Sequence, residues 1–429
     1  MSVDNRGFHK SRATPARRLA LTVTKQIRER NAYAHPLINT QVRTADIPQE
    51  ERDFAILLIL GVVATSGELD LLINRVLTHG NLQPSVGDAL RISVYELLFL
   101  QREPHAAVDQ GVELVRCLSP KAVAFANKVL REVAKLREDF PFGDSHTDIA
   151  ALAHEQAFPL WLAKRLVADA GFEAAAAFMA ASNTQAPVFL ANLAQGTTVQ
   201  IAPPELPAWL PRVEASEMLI ADASVQKVVE LALCDRPDRP FLEVGSGRGT
   251  KTVLLQRAFL RAQGRQPSLY ALDLHAFKND ILRERIKRYH LEHVTPVTGD
   301  ATQLSTLVAQ GKLPESFGGA LIDAPCSGTG TLRRHPEIRW RLTPMMIMAM
   351  ATQGLKMLKA VARHIEVDGS LTYSTCSVLR EENEQIIEAF LASEEGEGFV
   401  LQPPASFHQT LAPASPDAHF AARLMRRKN

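Results

Sequence analysis

A chain of 429 residues is longer than one ordinary compact domain, so two or three domains are expected. Hydrophobic residues make up 46% and charged residues 22%, which excludes a disordered chain and favours packed cores. The net charge of +1 neither requires nor excludes a nucleic-acid partner. The longest apolar run, Phe54 to Ala64, is about half the ~20 residues that a bilayer crossing needs, so no membrane partner is expected.

Lys25 and Arg28 interrupt what would have to be the apolar region of a signal peptide. The four cysteines, Cys117, Cys234, Cys326 and Cys376, are too few for a disulfide framework, and no pair has zinc-ligand spacing. A reducing, cytoplasmic setting without a metal is therefore expected, with a monomer as the default state. Basic residues cluster at the ends: eight Lys or Arg in the first 30 residues (Arg6, Lys10, Arg12, Arg17, Arg18, Lys25, Arg28, Arg30) and four in the last seven (Arg423, Arg426, Arg427, Lys428). Such groups can neutralise phosphates or be plain solvated tails.

Residues ~10 to ~140 read as helices almost throughout. The first follows Pro15 with Leu19, Val23 and Ile27 on one face. Glu50 to Ala64 is strongly apolar, and Leu69 to Val76 continues it after Gly67. Ala89 to Leu100, Ala106 to Cys117 and Ala122 to Leu136 follow, punctuated by Pro84, Pro104 and Pro120. Short connections imply an all-α bundle. Phe140 to Ser145 reads as a linker, a helix is expected from Pro159, and the proline-rich stretch Gln195 to Pro211 reads as irregular. From Phe241 the rhythm becomes short strands (FLEV, LYALDL, VTPVTG, GGALID, GSLTYST) alternating with helices, such as Thr250 to Ala262. This predicts an α/β domain with a mostly parallel sheet, whose ligands sit beyond the carboxyl ends of the strands. The expected division is an all-α domain over 1–145, a connecting subdomain over 146–225 and a catalytic α/β domain over 226–429.

The helical region resembles the NusB-like domain, an RNA-binding module. The likeness rests on ERDFAILLILGVVATSGELDLLINRVL, LRISVYELLFLQREPHAAVDQGVELVR and FANKVLREV.

In the α/β region the residues from Glu243 through Gly245, Ser246, Gly247, Arg248 and Gly249 follow a strand and run into a helix through Thr250 and Lys251. Such glycines allow a tight turn and close approach to a ligand, and dinucleotide-binding proteins use them too. Asp273 ends the second strand, where a carboxylate can accept from a ribose diol. Asp300 follows the third, where it could accept from an adenine amino group. Each acid alone is equally well an N-cap or turn residue. Together the set looks like the S-adenosylmethionine site of a class I methyltransferase, Rossmann-like in fold.

The fourth strand ends at Asp323-Ala-Pro-Cys326 and the fifth at Tyr373-Ser-Thr-Cys376. Cys117 and Cys234 read as small buried hydrophobes. Cys326 and Cys376 sit instead in polar turns at neighbouring strand ends, so the two should meet across the cofactor cleft. Thiol addition to carbon-6 of cytosine would make carbon-5 nucleophilic enough to take a methyl group, after which a base must remove the carbon-5 proton.

DAPCSGTG, STCSV and Glu382-Asn383-Glu384 resemble the Sun/Nop-type RNA 5-methylcytosine methyltransferase family. The resemblance implies S-adenosylmethionine as cofactor and structured RNA as partner, with Cys376 as nucleophile and Cys326 assisting product release. It further implies Asp323 between cofactor and base, Asp273 and Asp300 on ribose and adenine, and Gly245 to Lys251 as the cofactor loop. Asp222 to Gln226 resembles the segment beneath the cofactor, and RRHPEIRWR (Arg333 to Arg341) the basic stretch expected near RNA phosphates. With a NusB-like N-terminus, the likeness is to bacterial enzymes acting on small-subunit ribosomal RNA.

Three motifs depart from the family's pattern. Ser-Gly-Arg-Gly-Thr stands before Lys251 where Ala-Pro-Gly-Gly is usual, Leu190-Ala191-Asn192 lacks an arginine, and Asp417-Ala418-His419-Phe420 replaces Gly-Phe-Phe. Three rivals remain: a non-catalytic RNA-binding or ribosome-assembly factor with a degenerate site, a DNA cytosine methyltransferase using Cys326 alone, and a nicotinamide oxidoreductase.

Overall fold

Proline in the first turn and apolar residues at helical spacing set the opening helix, Pro15–Arg30, which buries Ala16, Ala20, Leu21, Val23 and Ile27. The computed structural model describes residues 12–77, 82–402, 407–408, 412 and 414–428. It forms two units, one of residues 1–183 with Leu332–Arg341 and one of Thr184–Thr331 with Leu342 onward.

The first unit is all-α. Gln49–Val76, Pro84–Leu98, Pro104–Leu118 and Val123–Lys135 pack with Pro15–Arg30 around Leu58, Ile59, Leu72, Leu90, Ile92, Leu114 and Leu130. As expected, the apolar pattern continues through Gly67 in one helix, Gln49–Val76, and this glycine faces the Trp340 ring: a Cβ there would lie 2.0 Å from it. By length and composition Gln49–Val76 is sufficient to cross a bilayer, which counting only Phe54 to Ala64 missed. Half of its most apolar stretch is buried inside this unit.

Two basic residues of the first helix, Arg17 and Arg28, bond to buried acids within the fold. Arg17 donates to buried Glu96 at 2.8 Å. Arg28 and Arg91 each donate to buried Asp88 at 2.8 Å. Arg6 and Lys10 lie outside the described residues.

The stretch Phe140 to Ser145 is a packed corner, not a free linker. Phe140 meets Phe99 edge-on, Phe142 meets His154, and the Arg75 guanidinium lies 3.9 Å from the centre of the Phe142 ring. The expected connecting subdomain over 146–225 is divided. Helices Ile149–Glu155, Leu160–Ala170 and Phe172–Ser182 belong to the first unit, and the remainder to the second. Gln195 to Pro211 contains a strand and the start of a helix, Leu206–Glu214.

The second unit opens with a small antiparallel sheet, β2-β1-β3, of β1 (Val188–Asn192), β2 (Thr198–Ile201) and β3 (Met218–Ile220). The five predicted strands follow as β4 (Phe241–Val244), β5 (Leu269–Asp273), β6 (Val294–Thr298), β7 (Phe317–Asp323) and β8 (Ile365–Thr375). They pair in parallel in the order β8-β7-β4-β5-β6. Beyond β8 lies β11 (Phe420–Arg426), antiparallel to it and flanked by β9 (Phe399–Leu401) and β10 (Phe407–His408). Helices cover the sheet over two apolar clusters, one centred on Phe317, Leu358 and Leu371 and the other on Phe241, Val253 and Phe259. Because β4, β5, β7 and β8 are parallel, their carboxyl ends lie side by side. The motif residues follow those ends.

Candidate active site

The loop after β4 is folded by its glycines. Gly245, Gly247 and Gly249 all have positive φ. A Cβ on Gly245 would sit 2.4 Å from the carbonyl oxygen of Asp323, so this position keeps the cofactor loop pressed against the β7 turn. The N–H of Gly247 donates to Asp273 Oδ2 at 3.0 Å, while Asp273 Oδ1 accepts from the N–H of His275 at 2.9 Å. Asp273 thus clamps the loop, and its Oδ2 also accepts from the Lys278 ammonium at 3.3 Å. Asp300 caps the turn Ala301–Gln303, its Oδ1 accepting from the N–H and hydroxyl of Thr302 at 2.9 and 2.8 Å.

These residues suit an S-adenosyl cofactor. The Ser246 hydroxyl is buried with no partner among the described residues, and so is Glu243 Oε1. Both lie beside the glycine turn, where the polar groups of a bound cofactor would satisfy them. Glu243 is fully buried, and burial raises its carboxyl to about 8, with the Thr252 hydroxyl donating to Oε2 at 2.6 Å as a partial offset. The expected loop residues do not all face inward: Arg248 is exposed and the Thr250 hydroxyl accepts from Arg285 at 2.9 Å.

Lys251 lies in the first turn of Thr250–Gln263, and its ammonium donates to Asp323 Oδ2 at 2.6 Å. Burial works against the charged ammonium, but Asp323, then Cys376, outweigh it and hold its pKa above the ordinary value. Asp323, at the end of β7, is held on its other oxygen by a 3.5 Å approach of the Ser374 hydroxyl.

The two sulfurs meet. Cys326 Sγ and Cys376 Sγ are 3.3 Å apart, both half-buried. The hydrogen bond with Cys376, then burial, pushes the Cys326 thiol well above its usual range. The two turns are laced together from behind. Ser327 donates its N–H to Glu382 Oε1 at 2.7 Å and its hydroxyl to Oε2 at 2.6 Å. Asn383 accepts from the Thr375 hydroxyl at 2.5 Å and donates to the Ser377 carbonyl at 2.9 Å. The Gly330 N–H reaches the Cys376 carbonyl at 2.9 Å. Cys117 and Cys234 take no part: Cys234 is buried, and Cys117 donates to the Glu113 carbonyl at 3.2 Å.

Comparisons with known proteins place the chain in a family. Residues 230–413 fit the family model of the 16S rRNA methyltransferase RsmB/F, and residues 14–135 that of the NusB family. The ribosomal RNA small subunit methyltransferase B of Thermus thermophilus is 30% identical over 388 residues, covering 89% of this chain and 88% of that protein. The chain belongs to the RsmB/F methyltransferase family. A probable member from Synechocystis sp. is 28% identical over 412 residues, covering 89% of this chain and 90% of that one. The solved structure of PH0851 superposes with a TM-score of 0.76 at 18% identity, over 97% of this chain and 100% of its own, a likeness of fold. As an RsmB/F-type enzyme the chain is an RNA methyltransferase whose methyl donor is S-adenosylmethionine.

Half of the arginines expected near RNA phosphates are turned into the fold. Of Arg333 to Arg341, Arg333 and Arg339 are buried. Arg339 lies 4.2 Å from the Phe158 ring centre and donates to Asn183 Oδ1 at 2.8 Å and to nearby carbonyls. Burial presses its pKa down to about 9, which still leaves it charged at neutral pH. Arg341 donates to the Ala32 carbonyl at 2.7 Å. These arginines fasten the segment into the helical unit. A further network, Asp222–Ser224–His419, was visible in the sequence only as a resemblance at one end and a departure at the other.

Proposed function

We propose that this RsmB/F-type enzyme methylates carbon-5 of a cytosine in small-subunit ribosomal RNA, with Cys376 as the covalent nucleophile. The observation that carries this reading is the 3.3 Å approach of Cys376 to Cys326, from neighbouring parallel strands, beside the Lys251–Asp323 pair. Two thiols held in polar turns have a chemical use in an addition–elimination reaction and none in a merely structural turn.

In this reading Cys376 Sγ bonds to carbon-6 of the ring, and electron density moves to carbon-5. S-adenosylmethionine supplies an electrophilic methyl group, held by Gly245, Ser246, Gly247, Asp273 and Asp300. Asp323, fixed through Oδ2 by Lys251, presents Oδ1 to the exocyclic amino group of the base. Loss of the carbon-5 proton restores the double bond as the carbon–sulfur bond breaks, and Cys326 assists that release. The NusB-like unit contributes RNA affinity, and the enzyme acts as a monomer in the cytoplasm. The domain reading is then an RNA-binding helical unit and a catalytic α/β unit.

Purified protein given labelled S-adenosylmethionine and deproteinised ribosomal RNA tests this directly. Cys376→Ala is expected to abolish methyl transfer, and Cys326→Ala to leave a protein–RNA adduct on a denaturing gel. Appearance of the adduct in Cys376→Ala instead would reverse the two roles. An inactive wild-type protein that still binds RNA would favour a non-catalytic assembly factor.

A further inference from the structure

The reaction needs a base for the carbon-5 proton, and the acids beside the two sulfurs are already engaged. Asp323 is bonded to Lys251 and Glu382 to Ser327. Burial raises the Glu382 carboxyl, with the Ser327 and Ser377 hydroxyls opposing that, and Cys326 is held as a thiol.

His419 also lies at this strand end. In the β11–β8 ladder Phe420 stands opposite Thr375, and His419 and Cys376 are the residues just beyond that last pair. The preceding residue is tied to the same turns, the Ala418 N–H donating to the Gly330 carbonyl at 3.1 Å. His419 is buried, and its Nδ1 is 2.7 Å from the Ser224 hydroxyl. That hydroxyl is also 2.7 Å from Asp222 Oδ1, which accepts from the N–H groups of Ser224 and Asp417 at 3.0 and 3.1 Å as well.

Proton counting then fixes the tautomer. The Ser224 hydroxyl gives its single proton to Asp222 Oδ1. The Ser224 oxygen must therefore accept from His419, which places the imidazole proton on Nδ1 and leaves the lone pair on Nε2. Among the described residues no group bonds Nε2. Burial, then the charge of Lys251, lowers the imidazole pKa, against the opposing pull of Asp323, Asp222 and Asp417. The ring is neutral at physiological pH and able to take a proton.

We propose that His419, oriented through Ser224 by Asp222, is the catalytic base that accepts the carbon-5 proton at Nε2. This rests on the covalent reading above. The carbon-5–hydrogen bond breaks, the proton goes to Nε2, and its electron pair forms the ring double bond while the Cys376–carbon-6 bond returns its pair to sulfur. Buffer then takes the proton from His419 for the next turnover.

His419→Phe keeps a planar ring and removes the lone pair. With ribosomal RNA and labelled S-adenosylmethionine, kcat should fall at least about 100-fold, the order that a positioned general base contributes. KM for either substrate should change little, and a methylated covalent adduct should accumulate although Cys326 is intact. The acid limb of the wild-type pH–rate profile, set below the ordinary histidine value, should vanish from the residual activity. Unchanged kcat, or lost activity without adduct in a variant that still binds S-adenosylmethionine, overturns the proposal. If His419→Phe does not bind the cofactor, Ser224→Ala decides by the same readouts, a lowered kcat with adduct supporting the relay and wild-type behaviour refuting it. Wild-type protein and Cys326→Ala run alongside: no methyl transfer by the first, or no adduct from the second, brings down the covalent reading and this inference with it.

Discussion

A thiol 3.3 Å from a second sulfur, with a buried carboxyl near by, gives up its proton reluctantly. The first cause of the raised Cys326 pKa is the hydrogen bond with Cys376, so deleting that sulfur should lower it. Cys376→Ala is expected to move the midpoint of Cys326 alkylation to lower pH, and to make Cys326 react faster at pH 8. Iodoacetamide rates read peptide by peptide across a pH series would measure this, with Cys234, raised by burial and unconnected to the pair, as the internal control. A midpoint that stays put or rises would mean that burial alone governs Cys326. At this scale the strand-end placement of both cysteines, Asp323 and Asp273 was legible in the sequence, because such motifs directly follow short apolar runs. His419 was not, since its partners Asp222 and Ser224 lie about 195 residues away and no spacing rule connects them.

Elements show the same division between local and long-range information. The parallel strands were readable because each is a short apolar run ending in glycine or a polar turn. The antiparallel β11 was not, because only its pairing with β8 distinguishes it. The helix Ile149–Glu155 shows how such docking is held: His154 Nδ1 lies 2.9 Å from Glu68 on Gln49–Val76. The Glu68 hydrogen bond raises the His154 pKa against partial burial. A raised folded value means that the stabilisation is complete below the ordinary histidine pKa and is lost as pH climbs through the raised one. Glu68→Gln should therefore destabilise the protein more at pH 6 than at pH 9, by on the order of 1 kcal/mol given partial solvent screening. Urea titrations at the two pH values check it, and an equal loss at both would assign the contact to packing.

At the scale of the whole molecule, the chain runs from the catalytic unit into the helical one and back between β7 and β8. Sequence reading placed Arg333 to Arg341 near RNA phosphates by resemblance to the family's basic stretch. Burial reverses that, since helix-end carbonyls and an aromatic ring accept Arg339. Trp340 fits the space left by Gly67, and its indole N–H donates to the Ala64 carbonyl at 2.7 Å. The Glu337 carboxylate accepts from the Ala34 N–H at 3.3 Å. The segment that follows the Cys326 turn is thus core to the helical unit, and a mutation in it should be felt there. Trp340→Ala should cost that unit roughly 2–3 kcal/mol, below the ~3–5 kcal/mol for removing a fully buried large aromatic because the ring is only partly buried. In the full chain, hydrogen exchange should accelerate in Gln49–Val76 and Pro84–Leu98, while protection of β4, β5 and β7 and affinity for S-adenosylmethionine stay unchanged. Equal acceleration in both units would show that they unfold as one cooperative body, whereas unchanged helices would show that the segment only rests on the surface.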